Sequence, residues 1–336
     1  MSLEPIDPET ALDLYLTDRE HEVSQATIYS HSSRLGHFVR WCDREDITNL
    51  NDLTGRILHR YRLWRREEGN LEPVTEKTQM DTLRVFIRWL ESIDGVSPDL
   101  HTKVLSPALG ENENVRTVML DPDRAKAILS FLAKFEYASR PHVVLTLLWH
   151  TMMRVGAARS LDLEDYDPDE QYIHVVHRPE TGTPIKNQEG GQRFIALSEE
   201  VCTVLNDWTE TTREDITEES GRQPLLTTEV GRAHTTTLRG DCYRYTRPCV
   251  IDAACPEKRD IESCPATAYG SASSCPTSRS PHAVRRGAIT YALNQDWPKP
   301  AVSDRANVSE GVLDRHYDQR TEREKMEQRR EYLSHL

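Results

Sequence analysis

The chain has 336 residues, enough for two domains that each bury a core. Acidic residues outnumber basic ones, 55 against 42, for a formal net charge of −13. The excess holds on both sides of Val115, with 13 Lys and Arg against 21 Asp and Glu up to it and 29 against 34 after it, so a generally basic coat for nucleic acid is excluded.

Any DNA contact must then come from a local patch, because a distant acidic face is screened within about 10 Å at ordinary salt. The acidic composition also suits a salt-rich cytoplasm. No apolar run reaches the roughly 18 to 20 residues of a membrane span. The longest, 143–153, is interrupted by His150 and reads as a core helix. The first residues, MSLEPIDPET, carry no signal-peptide pattern, so an intracellular, cytoplasmic location and no membrane partner are expected. Seven cysteines, four of them from Cys249 to Cys275, make a disulfide framework an unlikely design for such a chain.

Apolar residues recur at helical spacing up to about Glu91, as in Leu35, Phe38, Val39 and Cys42, and predict helices near 8–20, 24–44, 53–68 and 74–92. The third carries Arg56, Arg60, Arg62, Arg65 and Arg66 with Tyr61 and Trp64 interleaved and no acid up to Arg66. That pattern fits a DNA-facing surface, and it equally fits a solvated face with its aromatics in the core. A polar stretch punctuated by Pro and Gly follows, and the boundaries drawn from it are a helical domain at 1–95, a linker at 96–116 and a second domain at 117–336.

The second domain opens on Asp121-Pro122, an N-cap followed by Pro at the first helical position. A buried helix is expected over 141–153. Strand-forming runs at 172–178 and 192–197 flank a turn-rich segment and predict a hairpin with a long loop.

Four places carry chemistry. Arg154 follows an apolar run where a charge for solubility is not needed, so it is expected to emerge into a cleft. Lys186 sits in the hairpin loop, which can carry an ammonium to a site. In Ser280-Pro281-His282-Ala283-Val284-Arg285, His282 and Arg285 fall one turn apart at a helix start, a setting suited to phosphate. Tyr317 stands in a polar context near the C-terminus, as a presented side chain would, whereas Tyr291 reads as core and Tyr332 as a docking residue.

This order of elements resembles the tyrosine recombinase, or phage integrase, family. It is most similar to the integrase-like site-specific recombinases of salt-loving archaea, through Ser278-Arg279-Ser280-Pro281-His282 and the stretch from Val302 to Ser309 that leads to His316-Tyr317. The resemblance implies a mainly α protein: an N-terminal helical bundle of the SAM-like core-binding type, then a mainly α catalytic domain with a small antiparallel sheet, the DNA breaking-rejoining fold. It implies Arg154, Lys186, His282, Arg285 and Tyr317 as the catalytic set, a 3′-phosphotyrosine intermediate, double-stranded DNA as partner and a homo-tetramer on that DNA. A C-terminal helix at 321–336 would dock on a neighbouring copy. No cofactor is expected for catalysis, since the chain has no Walker-type glycine loop. The family often has Glu three residues after the first Arg and His or Trp nine before the Tyr; here those positions hold Ala157 and Val308.

Between the hairpin and the His-Arg helix lies an insert at 249–275 rich in Pro, Ser and Ala. Its Cys249, Cys255, Cys264 and Cys275 suit a structural zinc, although close C-x-x-C pairs are missing and plain burial of thiols is the other reading.

Overall fold

A computed structural model of the chain describes all residues except 1–2, 111–112, 114–116, 319–322, 324–325, 328–329 and 331–336. The described residues are mostly helical with two small antiparallel sheets, and they form two compact units, Met1–Val115 and Arg116–Leu336. Most of the expected C-terminal helix at 321–336, with Tyr332, lies outside the described residues. Among the described residues no helix is long and apolar enough to cross a membrane.

The first unit contains α1 (Pro8–Arg19), α2 (Gln25–Arg44), α3 (Gly55–Gly69) and α4 (Pro73–Ser92). Side chains of Asp7, Ser24 and Thr54 accept the otherwise unpaired amides at the starts of the first three. Asn70, in the left-handed region with φ 42°, ends α3. The apolar stripes meet in a core of Tyr15, Leu35, Phe38, Trp41, Tyr61 and Phe86, with several ring pairs edge to face. The stretch from 96, read from the sequence as linker, is in part core: Val96, Leu100 and Val104 are buried in the same cluster. The Arg84 guanidinium holds the turn by donating to the Val104 carbonyl at 2.7 Å. Polar composition and the break at Pro98 hid this, although the three apolar residues recur every four positions and Leu100–Lys103 form a short 3-10 helix.

The second unit begins with α5 (Pro122–Phe135), α6 (Arg140–Thr151) and α7 (Val155–Ser160). A three-stranded antiparallel sheet follows, β1 (Tyr166–Asp167), β2 (Tyr172–Val175) and β3 (Arg193–Ala196), with β2 central and Val175 opposite Arg193. Then come α8 (Glu199–Asp207), the short ribbon of β4 (Thr227–Thr228) and β5 (Gly231–Arg232), and α9 (Thr235–Tyr245). The chain closes through α10 (Pro281–Asn294), α11 (Lys299–Ala306) and α12 (Glu310–His316).

Two local features position the site. Helix α6 buries nearly every residue and stops at Thr151, where Met152 turns left-handed with φ 56°, so Arg154 caps α7 instead of closing α6 as expected. Helix α10 starts on Ser280, whose hydroxyl accepts the Ala283 amide, and lies against the chain at Leu120. There Gly287 is required, since a Cβ would sit 2.1 Å from the Leu120 carbonyl oxygen.

The hairpin loop is tied down by a buried ion-pair network. Asp162, 1% exposed, accepts from Arg222 Nε and Arg232 Nη2, each at 2.6 Å, and Arg178 binds Asp165 through both terminal nitrogens at 2.9 and 2.7 Å. Arg222 also donates to the Thr181 and Thr183 hydroxyls, and Arg159 to the Gly182 carbonyl, so the network reaches into the loop that carries Lys186. Removing the shared acid strands buried charge. Asp162→Ala is therefore expected to lower the unfolding free energy of this unit by about 3–5 kcal/mol, measured by urea denaturation; a loss within error would show that the arginines re-pair elsewhere.

Candidate active site

Arg154, Lys186, His282 and Arg285 line one cavity of about 370 Å³ in the second unit. The cap of α7 supplies Arg154, the loop between β2 and β3 supplies exposed Lys186, and the first two turns of α10 supply exposed His282 and buried Arg285. Among the described residues no acid lines the cavity, and Ala157 forms part of its wall.

The guanidinium groups are held by backbone carbonyls. Arg285 is 1% exposed; its Nη1 donates to the Met152 carbonyl, while Nε and Nη2 are buried without a hydrogen-bond partner. Burial first, and the Arg154 charge second, push its pKa down to about 10, with the neighbouring Tyr317 phenol opposing them. Arg154 Nη1 donates to the Asn307 carbonyl at 3.1 Å, and burial lowers its pKa too. Asn307, left-handed with φ 49°, also bonds the hairpin loop: its side chain accepts from Asn187 at 2.6 Å and donates to the Gly190 carbonyl at 2.7 Å. One residue thus braces both the first arginine and the loop of the lysine.

Tyr317 is near this cluster, close enough to act electrostatically on Arg154 and Arg285, but its side chain is not presented to solvent as expected. It is 5% exposed, packed with Ile289, Val302 and Leu313, and the Arg286 guanidinium lies 6.0 Å from its ring centroid. The polar residues around Tyr317 in sequence point elsewhere because α12 turns its apolar side onto α10 and α11. Conversely Tyr291, read as core, is 41% exposed beside Trp149. Val308 is buried in the cluster around Tyr317 and presents no proton-carrying group.

Sequence reasoning missed Arg193 and Arg286. Arg193 opens β3 and lines the same cavity as Arg154 and Arg285. Arg286, beside Arg285, donates to the Val118 carbonyl at 2.8 Å. The signal for Arg193 was present as a charge in an otherwise apolar strand, two residues before Ile195 and so on the same face as that buried side chain.

The basic helix of the first unit divides. Arg65 is 7% exposed and bonds Gln79 and His37, while Arg62 and Arg66 both bind Glu76. Burial raises the Glu76 pKa, but hydrogen bonds from Arg66 and Arg62 outweigh it and hold the carboxyl below its ordinary range. Arg60 pairs with Glu45. The five arginines are therefore not one free basic patch: Arg65 works inside the unit, and Arg56, Arg60 and Arg66 are its exposed members. The pairing acids lie just past the end of α2 and on α4, out of sight of a reading along α3 alone.

The four insert cysteines line one small cavity with Arg247. Three begin Cys-Pro turns, closed by amides of Lys258, Thr267 and Ser278 on the carbonyls of Cys255, Cys264 and Cys275 at 2.9, 3.0 and 3.1 Å. Burial raises the Cys275 pKa, but hydrogen bonds from Thr277 and Ser278 bring it below that of an ordinary thiol. Among the described residues no three Cys, His, Asp or Glu side chains are gathered closely enough to hold a metal ion.

Residues 119–247 match the model of the phage integrase family, and this segment holds Arg154, Lys186 and the sheet between them. The chain belongs to the tyrosine recombinase, or phage integrase, family. Tyrosine recombinase XerC of Pseudomonas syringae pv. syringae (strain B728a) is 23% identical over 158 residues, 47% of this chain and 52% of that protein. The match thus spans about half the length of the curated relative. The N-terminal domain of a phage integrase/site-specific recombinase from Haloarcula marismortui is 38% identical, over 31% of this chain and 99% of the solved domain, with a TM-score of 0.30. The Tn1549 transposon integrase, solved with a circular intermediate DNA, is 16% identical with a TM-score of 0.66, covering 97% of this chain and 99% of the other. This last likeness shows the recombinase fold.

In this family member the unpartnered Arg285 nitrogens carry an energetic cost, because a buried donor without an acceptor costs about 1–3 kcal/mol. Arg285→Met is therefore expected to raise the unfolding free energy by an amount in that range, seen as a higher urea midpoint. A lowered midpoint would mean that the guanidinium already has a partner in solution.

Proposed function

We propose that this chain is a site-specific DNA recombinase that cleaves and rejoins strands through a 3′-phosphotyrosine. What carries the reading is the acid-free cavity: Arg154, Lys186, His282 and Arg285 line it, and the Tyr317 phenol lies next to the two arginines. A phosphodiester resists attack chiefly through its own negative charge. Two guanidiniums at the non-bridging oxygens neutralise that charge and stabilise what develops at phosphorus. The Tyr317 oxygen attacks phosphorus, its proton passes to His282, and the bond to the 5′ oxygen breaks as Lys186 protonates the leaving group. The phosphodiester energy stays in the new Tyr–phosphate bond. A 5′ hydroxyl from the exchanged strand then attacks phosphorus and gives its proton to Lys186, while His282 returns its proton to the departing Tyr317 phenolate, which restores DNA without ATP. The Tyr317 ring is held in apolar packing while its phenol lies against Arg285 and Arg154 at the cavity.

Double-stranded DNA is the proposed partner, and a tetramer on two duplexes the proposed assembly. The second reading is a catalytically degenerate accessory protein of the same fold, favoured by Ala157 and Val308 standing where the family often has ionisable or ring groups. A type IB topoisomerase-like enzyme would use the same chemistry without a defined site. Nicked suicide duplexes covering the DNA that flanks the gene separate these. At several salt concentrations, since phosphate contacts are salt-sensitive, wild type is expected to form a covalent complex that resists denaturant and Tyr317→Phe to form none. Equal behaviour of the two proteins sinks the enzymatic reading, and relaxation of supercoils on any plasmid would favour the topoisomerase-like one.

For the insert we propose a structural zinc on Cys249, Cys255, Cys264 and Cys275. Their shared cavity and the three Cys-Pro turns support it, and binding would draw the four sulfurs inward from their present positions. Purified protein is expected to carry one zinc, lost on replacing Cys264 with Ser; less than about half an equivalent per chain removes the idea.

A further inference from the structure

The cavity holds one cation more than the proposed reaction uses. Arg193 Nε donates to the Arg305 carbonyl at 2.9 Å and Nη1 to the Gly191 carbonyl at 2.8 Å, which fixes the plane of the guanidinium. Its Nη2 makes no hydrogen bond among the described residues. Gly191 lets this happen: a Cβ there would meet the Lys186 carbonyl at 2.5 Å, so the strand start and the lysine loop approach as closely as backbone allows. Burial first, then the charges of Arg285 and Arg154, push the Arg193 pKa down to about 10.

A merely structural arginine would be expected beside an acid, as Arg178, Arg222 and Arg232 are. Here three guanidiniums and an ammonium face one cavity with no acid in its wall among the described residues, Asp304 acts on Arg193 only electrostatically, and each guanidinium is anchored by carbonyls in a way that leaves donors over. Such an arrangement is relieved of its mutual repulsion by a bound anion. We propose that Arg193 is a third guanidinium for the bound phosphodiester, donating through Nη2 to a non-bridging oxygen alongside Arg154 and Arg285. The inference rests on the phosphotyrosine reading for its substrate, but the anion site it describes is measurable without turnover.

The full chain is titrated with inorganic phosphate by calorimetry, as wild type, Arg193→Gln and Arg193→Lys, with urea midpoints confirming that each is folded. Losing a charge-assisted hydrogen bond is expected to weaken phosphate binding about tenfold or more in Arg193→Gln. Arg193→Lys should recover part of it as a point charge without the fork. On suicide duplexes, Arg193→Gln is expected to slow covalent capture on the order of 100-fold. That penalty should nearly vanish when the scissile phosphate is an uncharged methylphosphonate. Unchanged phosphate affinity in Arg193→Gln overturns the inference, and so does an equal slowing on charged and uncharged linkages. If wild type and Tyr317→Phe fail alike to trap DNA, the phosphotyrosine reading falls while the phosphate titration still decides Arg193.

Discussion

Arg285 is a permanently charged side chain kept almost wholly out of water with only one of its nitrogens bonded, and Arg154 and Arg193 sit close enough to repel it. Gathering like charges in a desolvated cavity opposes folding, so the rest of the second unit has to hold them there. It does so with rigid parts. Helix α10 buries most of its length and, through Gly287, lies directly on backbone at Leu120. Helix α6 ends in a left-handed turn whose carbonyl anchors Arg285 and whose next residues deliver Arg154. Asn307 closes the ring by bonding Arg154 and the lysine loop together. In the proposed reading, such a site would gain its full electrostatic benefit on binding phosphate, because little reorganisation is left to do.

The distribution of acids separates the arginines of this protein into two kinds. Around Asp162 and Asp165, and around Glu76 in the first unit, guanidiniums are matched by carboxylates and serve as braces. In the cavity they are matched by carbonyls only, which orient a guanidinium without cancelling its charge. Net charge says nothing about this difference. A chain with a formal charge of −13 still presents a concentrated positive cavity, since the excess acids lie elsewhere and are screened.

Tyr317 shows a different kind of restraint. Its ring is packed under Arg286 and among aliphatic side chains, so the proposed nucleophile is held back from solvent by the same apolar forces that dock α12. Helix α12 has only seven residues and contributes Leu313 as its single fully buried anchor. A short helix with one anchor is a low-stability element, the kind from which moving parts are drawn.

Much of this was legible along the chain because it is local. The cap at Asp121, the Ser280-Pro281 helix start, the apolar period of the helices and the strand-forming runs of β2 and β3 are properties of neighbouring residues, and so is the one-turn spacing of His282 and Arg285. These decided the helical class, the hairpin and the order of the motifs. Which arginines are paired, where Tyr317 points and that Arg193 joins the cavity were decided only in three dimensions. Each depends on partners carried by other elements: Glu76 on α4 for Arg66 on α3, Ile289 on α10 for Tyr317, Arg154 and Arg285 for Arg193. Backbone preference is set by the nearest residues in sequence, whereas the fate of a charge is set by whatever the fold brings within a few ångströms of it.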